Sequence, residues 1–410
     1  MKTGNDGRNH LRLKCSFLPL ASRSRRRRKA VVNVSQVFTE KYDLFKCFQC
    51  GKCSAGCPVL MKGPLNIRRL IHEVLLHDDL ESICQRSEIW DCTTCQACTL
   101  RCPRGLRPHE LLMGIRSSLV EEGKIPETVS EALENVFKQG NPWGRPRSKR
   151  NEWAADLEIK DLTRGDRADL LLFVGCAPAY DPRVQSVTRA LAGTLLSLKA
   201  DFAILGNEET CCGSEVRRMG EEGLFEMLAE ENSKLFSKYN VTDIMTISPH
   251  CYNVFKNEYP NGGRQVKHYT QVISGLIGEG KLTFSGKLEK VVTYHDPCYL
   301  GKQNGVFDEP RSIIKAIPGV NFIEFDRSRE RSLCCEGGGG RMFVEASPGS
   351  GERLALARIA DAVKMGVDIV ATACPFCLLN LEDAVKTAGY EEKIQVRDIM
   401  ELVSEAIRPA

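Results

Sequence analysis

Three short apolar runs each lead into a cysteine. Lys290-Val291-Val292-Thr293-Tyr294 runs toward Cys298, Val367-Asp368-Ile369-Val370-Ala371 toward Cys374, and Leu170-Leu171-Leu172-Phe173-Val174 into Cys176. Their length and β-branched content predict buried strands. Other stretches carry the helical period. Ile67, Leu70, Ile71, Val74 and Leu75 recur three and four apart within 65–80, and Leu111, Leu112, Ile115 and Leu119 do so within 108–120. Further helices are expected at 185–198, 222–238 and 351–364, between the strands. Strands alternating with helices predict parallel sheets, and cysteines at the carboxyl ends of neighbouring strands converge where open α/β sheets hold ligands. The longest apolar run, near 169–180, is broken by Gly175 and Pro178, well short of the roughly 18 residues of a membrane-crossing helix.

The pattern occurs twice. Cys176, Cys211-Cys212-Gly213 and Ser248-Pro249-His250-Cys251 parallel Cys298, Cys334-Cys335 and Cys374-Pro375-Phe376-Cys377, displaced by 122, 123 and 126 residues. Two similar α/β modules are therefore expected, at 168–285 and 286–410. The second has five thiols, Cys298, Cys334, Cys335, Cys374 and Cys377. The first has Ser248 in place of Cys374 and keeps Cys176, Cys211, Cys212 and Cys251. A serine hydroxyl is a poor iron ligand beside thiolates, so an ordinary cluster, a weaker one or none is expected there.

The amino-terminal half carries the most specific signal. Cys47, Cys50, Cys53 and Cys57-Pro58, then Cys92, Cys95, Cys98 and Cys102-Pro103, both follow the C-x2-C-x2-C-x3-C-P spacing of two-cluster ferredoxins. In that pattern the fourth cysteine crosses to the other cube. Cys47, Cys50, Cys53 and Cys102 are thus expected to hold one 4Fe-4S cluster, and Cys92, Cys95, Cys98 and Cys57 the other. Zinc sites usually group cysteines in pairs and fit these four-cysteine runs poorly. The helical segments make this an α-helical ferredoxin over 35–120, with His72, His77 and His109 solvated or capping, and Cys84 and Cys15 plain thiols. A Pro-, Gly- and charge-rich stretch, 121–167, reads as a connector docked by Trp143 and Trp153.

Charge changes the picture at one end. The net charge is +4, but residues 1–30 hold ten Lys or Arg against Asp6 alone. The remainder carries 47 basic and 52 acidic groups. Residues 1–34 read as a disordered basic extension; an arm onto an acidic partner or anionic lipid, or a transit peptide, are the other readings. Nineteen cysteines, grouped as C-x-x-C with no secretory h-region ahead of them, suit metal ligation in a reducing compartment rather than disulfides. The expected location is cytoplasmic, or peripheral to the inner face of a membrane.

These residues, over 40–405 and including Gly140-Asn141-Pro142-Trp143-Gly144, resemble the iron-sulfur oxidoreductases with paired cysteine-rich CCG domains. The catalytic subunit of heterodisulfide reductase is a member, as are iron-sulfur subunits of anaerobic glycerol-3-phosphate and glycolate dehydrogenases. A subunit of the tungsten-dependent benzoyl-CoA reductase complex looks similar. The resemblance implies a non-cubane 4Fe-4S cluster on Cys298, Cys334, Cys335, Cys374 and Cys377, and, through Ser248, puts the two-sided attack on a disulfide in doubt.

The resulting expectation is an α+β multidomain protein: a helical two-cluster ferredoxin followed by duplicated Rossmann-like CCG modules. Its function is that of an oxidoreductase subunit of anaerobic metabolism. It passes single electrons through two cubanes to the third cluster, for disulfide or thiol chemistry or as a relay. Its partners would be a flavoprotein or a membrane quinone or cytochrome subunit, and not nucleic acid. The lesser expectations concern Gly337 to Gly340, either amides that approach cluster sulfurs or an anion or a plain flexible turn; His250 and His295, as hydrogen-bond partners that tune the cluster, with proton donation to a leaving thiolate the other reading; and Arg341, facing a substrate carboxylate. No dinucleotide-binding glycine motif follows a predicted strand.

Overall fold

The structure is a computed structural model that describes residues 34–76, 80–260 and 262–407. Residues 1–33, with Cys15, and His77 lie outside the described residues.

Two parallel sheets organise the second half. The first contains β1 (Lys160–Asp161), β2 (Leu170–Phe173), β3 (Phe202–Ile204), β4 (Asp243–Thr246) and β5 (Gln265–His268), in the order β1-β3-β2-β4-β5. The second contains β6 (Val291–Tyr294), β7 (Asn321–Phe322), β8 (Ile369–Thr372) and β9 (Gln395–Asp398), in the order β7-β6-β8-β9. In both, the strand entering the first cysteine lies beside the strand entering the Ser248 or Cys374 motif. Leu170 to Phe173 pair with Asp243 to Thr246, and Val292 to Tyr294 with Ile369 to Ala371. The strand order reverses at these pairs, so the cysteines leave adjacent strand ends on one edge.

Helices cover the sheets and join the halves. The helix Pro182–Ser197 packs against Ile399–Ile407, and Tyr269–Gly278 against Asp308–Ala316. Val187 and Leu191 share one core with Leu402 and Val403. At the rim, Arg183 holds Glu401 at 2.9 Å. A second core fuses the amino-terminal helices to the first sheet, where Leu111, Leu112 and Ile115 of the helix Pro108–Glu121 share a cluster with Val216 and Met219. Each fully buried aliphatic side chain of this kind contributes about 1.5–3 kcal/mol.

The stretch read as a connector contains more structure than its composition suggests. It holds a helix, Glu127–Gln139, which buries Val129, Ala132, Leu133 and Val136, and the edge strand β1. Gly140, at φ +68°, ends that helix in the left-handed conformation glycine tolerates best. Trp153 is buried, and Trp143 packs on Phe343 with centroids 5.9 Å apart.

Candidate metal-cluster sites

No disulfide joins the cysteines of the described residues. Cys47, Cys50, Cys53 and Cys102 line one pocket, with Cys50 exposed. Cys57, Cys92, Cys95 and Cys98 are buried together. Burial first, then the neighbouring Cys95, pushes the Cys57 thiol up to about 12. Cys98 is pushed up by burial and by Cys92, Cys95 and Cys57. The two loops share a backbone device: Gln49 and Gly51 in one, Thr94 and Gln96 in the other, all have positive φ, which curls each loop around its sulfurs. The amide of Thr94 donates to Cys92 Sγ at 3.4 Å.

At the carboxyl ends of β6 and β8, side-chain contacts run from Cys298 to Cys334, Cys335, Cys377 and Cys374. Cys335 and Cys377 approach to 3.1 Å. The Glu336 amide donates to Cys334 Sγ at 3.3 Å, and in the first module the Gly213 amide does the same to Cys211 at 3.3 Å. Burial opposes ionisation of Cys374, but hydrogen bonds from Cys377 and His250 hold its thiol down to about 5. His295 is buried, a ring nitrogen lies within 4.8 Å of the Cys335 and Cys377 sulfurs, and its Nδ1 has no partner. Burial, then Arg358, holds it well below the usual histidine range, so it is neutral.

The inner ferredoxin loop is pressed against this second-module site. The Thr93 hydroxyl lies 3.3 Å from Cys334 Sγ. Thr94 Oγ1 bonds the Tyr299 hydroxyl, and Gln303 donates to the Thr94 carbonyl at 2.9 Å. Arg116, buried and with no carboxylate at ion-pair distance among the described residues, gives all five N–H groups to main-chain carbonyls. Its acceptors are Ile89 (3.2 and 2.8 Å), Cys92 (2.8 Å), Arg218 (2.8 Å) and Gly339 (2.8 Å), so one side chain ties the loop to both modules.

The glycine run packs into this junction. A Cβ at Gly338 would lie 2.9 Å from the Thr93 carbonyl oxygen, one at Gly339 2.5 Å from that of Cys92, and one at Gly337 2.8 Å from Phe376. The Gly340 amide donates to Glu215 at 2.6 Å. Arg341 is also committed within the chain, to the carbonyls of Val344 and Glu345 and to Asp91 at 3.4 Å. His109 is neither solvated nor a cap; it is buried, bonded to Thr99 at 2.8 Å, and burial pulls it down to about 3. His72 is exposed.

In the first module Cys176, Cys211, Cys212 and Cys251 are in contact in sequence order and line a cavity with Ser248, His250, Trp143 and Phe376. Ser248 Oγ accepts from the His250 amide at 3.2 Å, capping the helix Pro249–Asn257. That is a helix-capping role for the oxygen, at the position where Cys374 offers sulfur to its neighbours. Beside Cys176, the buried Arg150 pairs with Glu209 at 2.8 Å, and Glu209 also takes the amides of Val174 and Gly175 at 2.8 Å each. Sequence reading missed Thr93, Tyr299, Arg116, Glu215 and the Arg150–Glu209 pair. Each lies far along the chain from what it touches, and no local motif marks it.

The donor sets fit iron-sulfur clusters. Burial raises thiols such as Cys92, to about 11, so they keep their protons unless a cation compensates, and metal-bound cysteines are thiolates. Sulfur donors gathered without disulfides, on loops whose amides point at them, are what such a group needs.

Comparison with known proteins agrees. A family model described as a cysteine-rich domain matches residues 170–256 and 292–382, and one described as a 4Fe-4S dicluster domain matches 43–106. The chain is 40% identical to the probable iron-sulfur-binding oxidoreductase FadF of Bacillus subtilis, over 78% of this chain and 46% of that protein. It is 33% identical to the EtfAB:quinone oxidoreductase of Syntrophomonas wolfei, over 89% and 58%. It is 34% identical to a subunit of the dihydromethanophenazine:CoB--CoM heterodisulfide reductase of Methanosarcina barkeri, over 89% and 94%. The chain thus spans about half the length of the first two and nearly all of the third. A hypothetical protein from Helicobacter pylori shares the fold, with a TM-score of 0.53 at 10% identity over 92% of this chain and 73% of that one. Among the described residues no helix is long and apolar enough to cross a membrane. With its dicluster region, its paired cysteine-rich domains and its match to nearly the whole heterodisulfide reductase subunit, the chain belongs to the CCG-domain iron-sulfur oxidoreductases, carries multiple 4Fe-4S clusters and serves electron transfer.

Proposed function

We propose that the chain is a relay for single electrons, built as three thiolate sites in series. Cys47, Cys50, Cys53 and Cys102 form the outer site, Cys57, Cys92, Cys95 and Cys98 the inner one, and Cys298, Cys334, Cys335, Cys374 and Cys377 the terminal one, of the non-cubane type. Clusters bound there supply one-electron redox steps. The observation that carries this reading is the 3.3 Å approach of the Thr93 hydroxyl, inside the inner loop, to Cys334 Sγ. Tyr299 and Gln303 tie the junction together through their bonds to Thr94. We also propose the division into a ferredoxin region at 35–120, a linking region at 121–167 and modules at 168–285 and 286–410, each a Rossmann-like α/β unit in the broad, doubly wound sense, with β3-β2-β4-β5 in one matching β7-β6-β8-β9 in the other. We further propose flavoprotein or quinone-linked partner subunits and a place at the cytoplasmic side of a membrane; the names of two relatives, an EtfAB:quinone oxidoreductase and a probable membrane-anchored ferredoxin, support the quinone link and the nearness to a membrane.

A second reading, disulfide or thiol redox chemistry as in heterodisulfide reductase, is favoured by the cavity between the modules. It is lined by the four first-module thiols and also by His250 and Phe376, which adjoin the terminal site. One assay separates the two. The isolated, cluster-loaded chain is offered reduced viologen and a small disulfide: a relay leaves the viologen reduced until partner subunits are added, whereas disulfide-dependent oxidation by the chain alone establishes the second reading.

A further inference from the structure

The outer site is surrounded by a surface that the fold does not explain. Phe45 and Phe48 are 77% and 61% exposed and flank Cys47; Leu100, two residues before Cys102, is 50% exposed. Lys52, Arg68, Arg101 and Arg104 are exposed around the same loops, and Arg68 and Arg104 line the outer pocket itself. Among the described residues none of the four has a carboxylate at ion-pair distance, unlike Lys46 and Arg107, which hold Asp43 at 2.8 Å and Glu110 at 2.9 Å. Beyond residue 30 the chain carries more acids than bases, so this basic island stands out against the rest.

We infer that this face docks an acidic electron-carrier protein, one whose cofactor lies near an apolar surface ringed by carboxylates. This rests on the relay proposed above and names the partner's chemistry. Opposite charge steers such a carrier onto the loops, and the exposed rings then exclude water between Cys50 and the carrier. The amino-terminal segment is not the occupant, because its ten basic residues repel an equally basic face. A membrane surface fits less well: the apolar side chains project from cluster loops, not from one face of an amphipathic helix.

The test uses the full, cluster-loaded chain and a strongly acidic bacterial two-cluster ferredoxin, reduced, as probe, with rates read by stopped flow. The expected second-order rate falls at least about tenfold from low salt to half-molar salt. At low salt it falls by a similar factor in Lys52→Glu/Arg101→Glu, and severalfold in Phe45→Ala with its salt dependence retained. Iron content and the rate with a neutral small reductant, photoreduced deazariboflavin, stay at wild-type values and show that the outer site is intact. A rate with ferredoxin that ignores both salt and charge reversal overturns the inference while the relay stands. So does binding to phosphatidylglycerol vesicles that the double substitution abolishes. Failure of deazariboflavin electrons to pass beyond the outer site in the wild-type chain overturns the relay itself, whatever ferredoxin does.

Discussion

His250 and Phe376 stand at equivalent places in the two modules, each one residue before a cysteine, and their rings meet with centroids 5.0 Å apart and planes at 65°. The contact marks the seam between the duplicated halves, and chemistry differs across it. Nδ1 of His250 bonds Glu215 at 2.7 Å, its ring stacks on Tyr299 at 4.0 Å, and it hydrogen-bonds Cys374. Burial opposes its charge, yet Glu215 and Cys374 raise it to about 9. The module that lacks the fifth thiol thus lends a donor to the one that has it.

His250→Phe, which makes the two halves alike at this position, removes a hydrogen bond to a terminal-site sulfur. Such bonds favour the reduced, more negative state. The midpoint potential of the terminal site is expected to fall by about 60 mV, the equivalent of one tenfold step for one electron. Iron content should hold. An electrochemical titration showing no shift would remove His250 from the tuning of this site.

Arg116 touches the inner loop and both modules. Arg116→Met leaves its four carbonyls without donors and is expected to cost at least about 3 kcal/mol of stability. Denaturant unfolding of the loaded protein checks it; a loss under about 1 kcal/mol would mean that the modules and the loop are held together otherwise.

Gly339 and Gly366 have nearly the same backbone, φ +69° and +67°, but a Cβ at Gly366 meets nothing within 4 Å. Gly366→Ala should therefore cost only the left-handed penalty, about 1–2 kcal/mol. Gly339→Ala should cost clearly more and slow reduction of the terminal site, because the Cys92 carbonyl must move. Equal costs would mean that the close approach is not needed.

How much of this was legible beforehand follows from what each signal depends on. Cysteine spacing is local, so both ferredoxin loops and the two module repeats could be read from the chain. Helices with a clear period were found within a few residues, as at Pro108–Glu121 and Glu222–Lys238. The two-residue strands β1 and β7 are too short to carry any period. The helix at Glu127–Gln139 was obscured by the Gly- and Pro-rich turn that follows it. The role of Gly337 to Gly340 was invisible because it depends on a partner loop about 240 residues away, and Arg341 reaches Asp91 across a similar span; His109 bonds Thr99 only ten residues back, and what hid it is its burial, which no local pattern marks.

Ser248 separates capping from ligation. Ser248→Ala should cost about 1 kcal/mol, through loss of the cap on Pro249–Asn257, and leave iron content unchanged. A drop of about four irons per chain would make the serine a ligand after all.

His268 gives the acid limb of stability. It is buried between the Ile247 carbonyl at 3.0 Å and Thr270, and burial lowers it to about 3. The unfolded chain takes up this proton near pH 6.5 and the folded one near pH 3. The stability is therefore complete above about 6.5 and lost progressively as pH falls toward 3. In His268→Gln, unfolding free energy should depend less steeply on pH in that window; an unchanged slope would contradict the assignment.

The most direct test of the relay is electron paramagnetic resonance of the fully reduced chain. The inner and terminal sites, joined through Thr93 and Cys334, should show magnetically interacting signals, and Cys335→Ser/Cys377→Ser should abolish that interaction while leaving the spectrum of two coupled cubanes. A terminal signal that shows no interaction with the inner cubane, or a wild-type spectrum unaltered by the double substitution, would contradict the proposal that the three sites form one path.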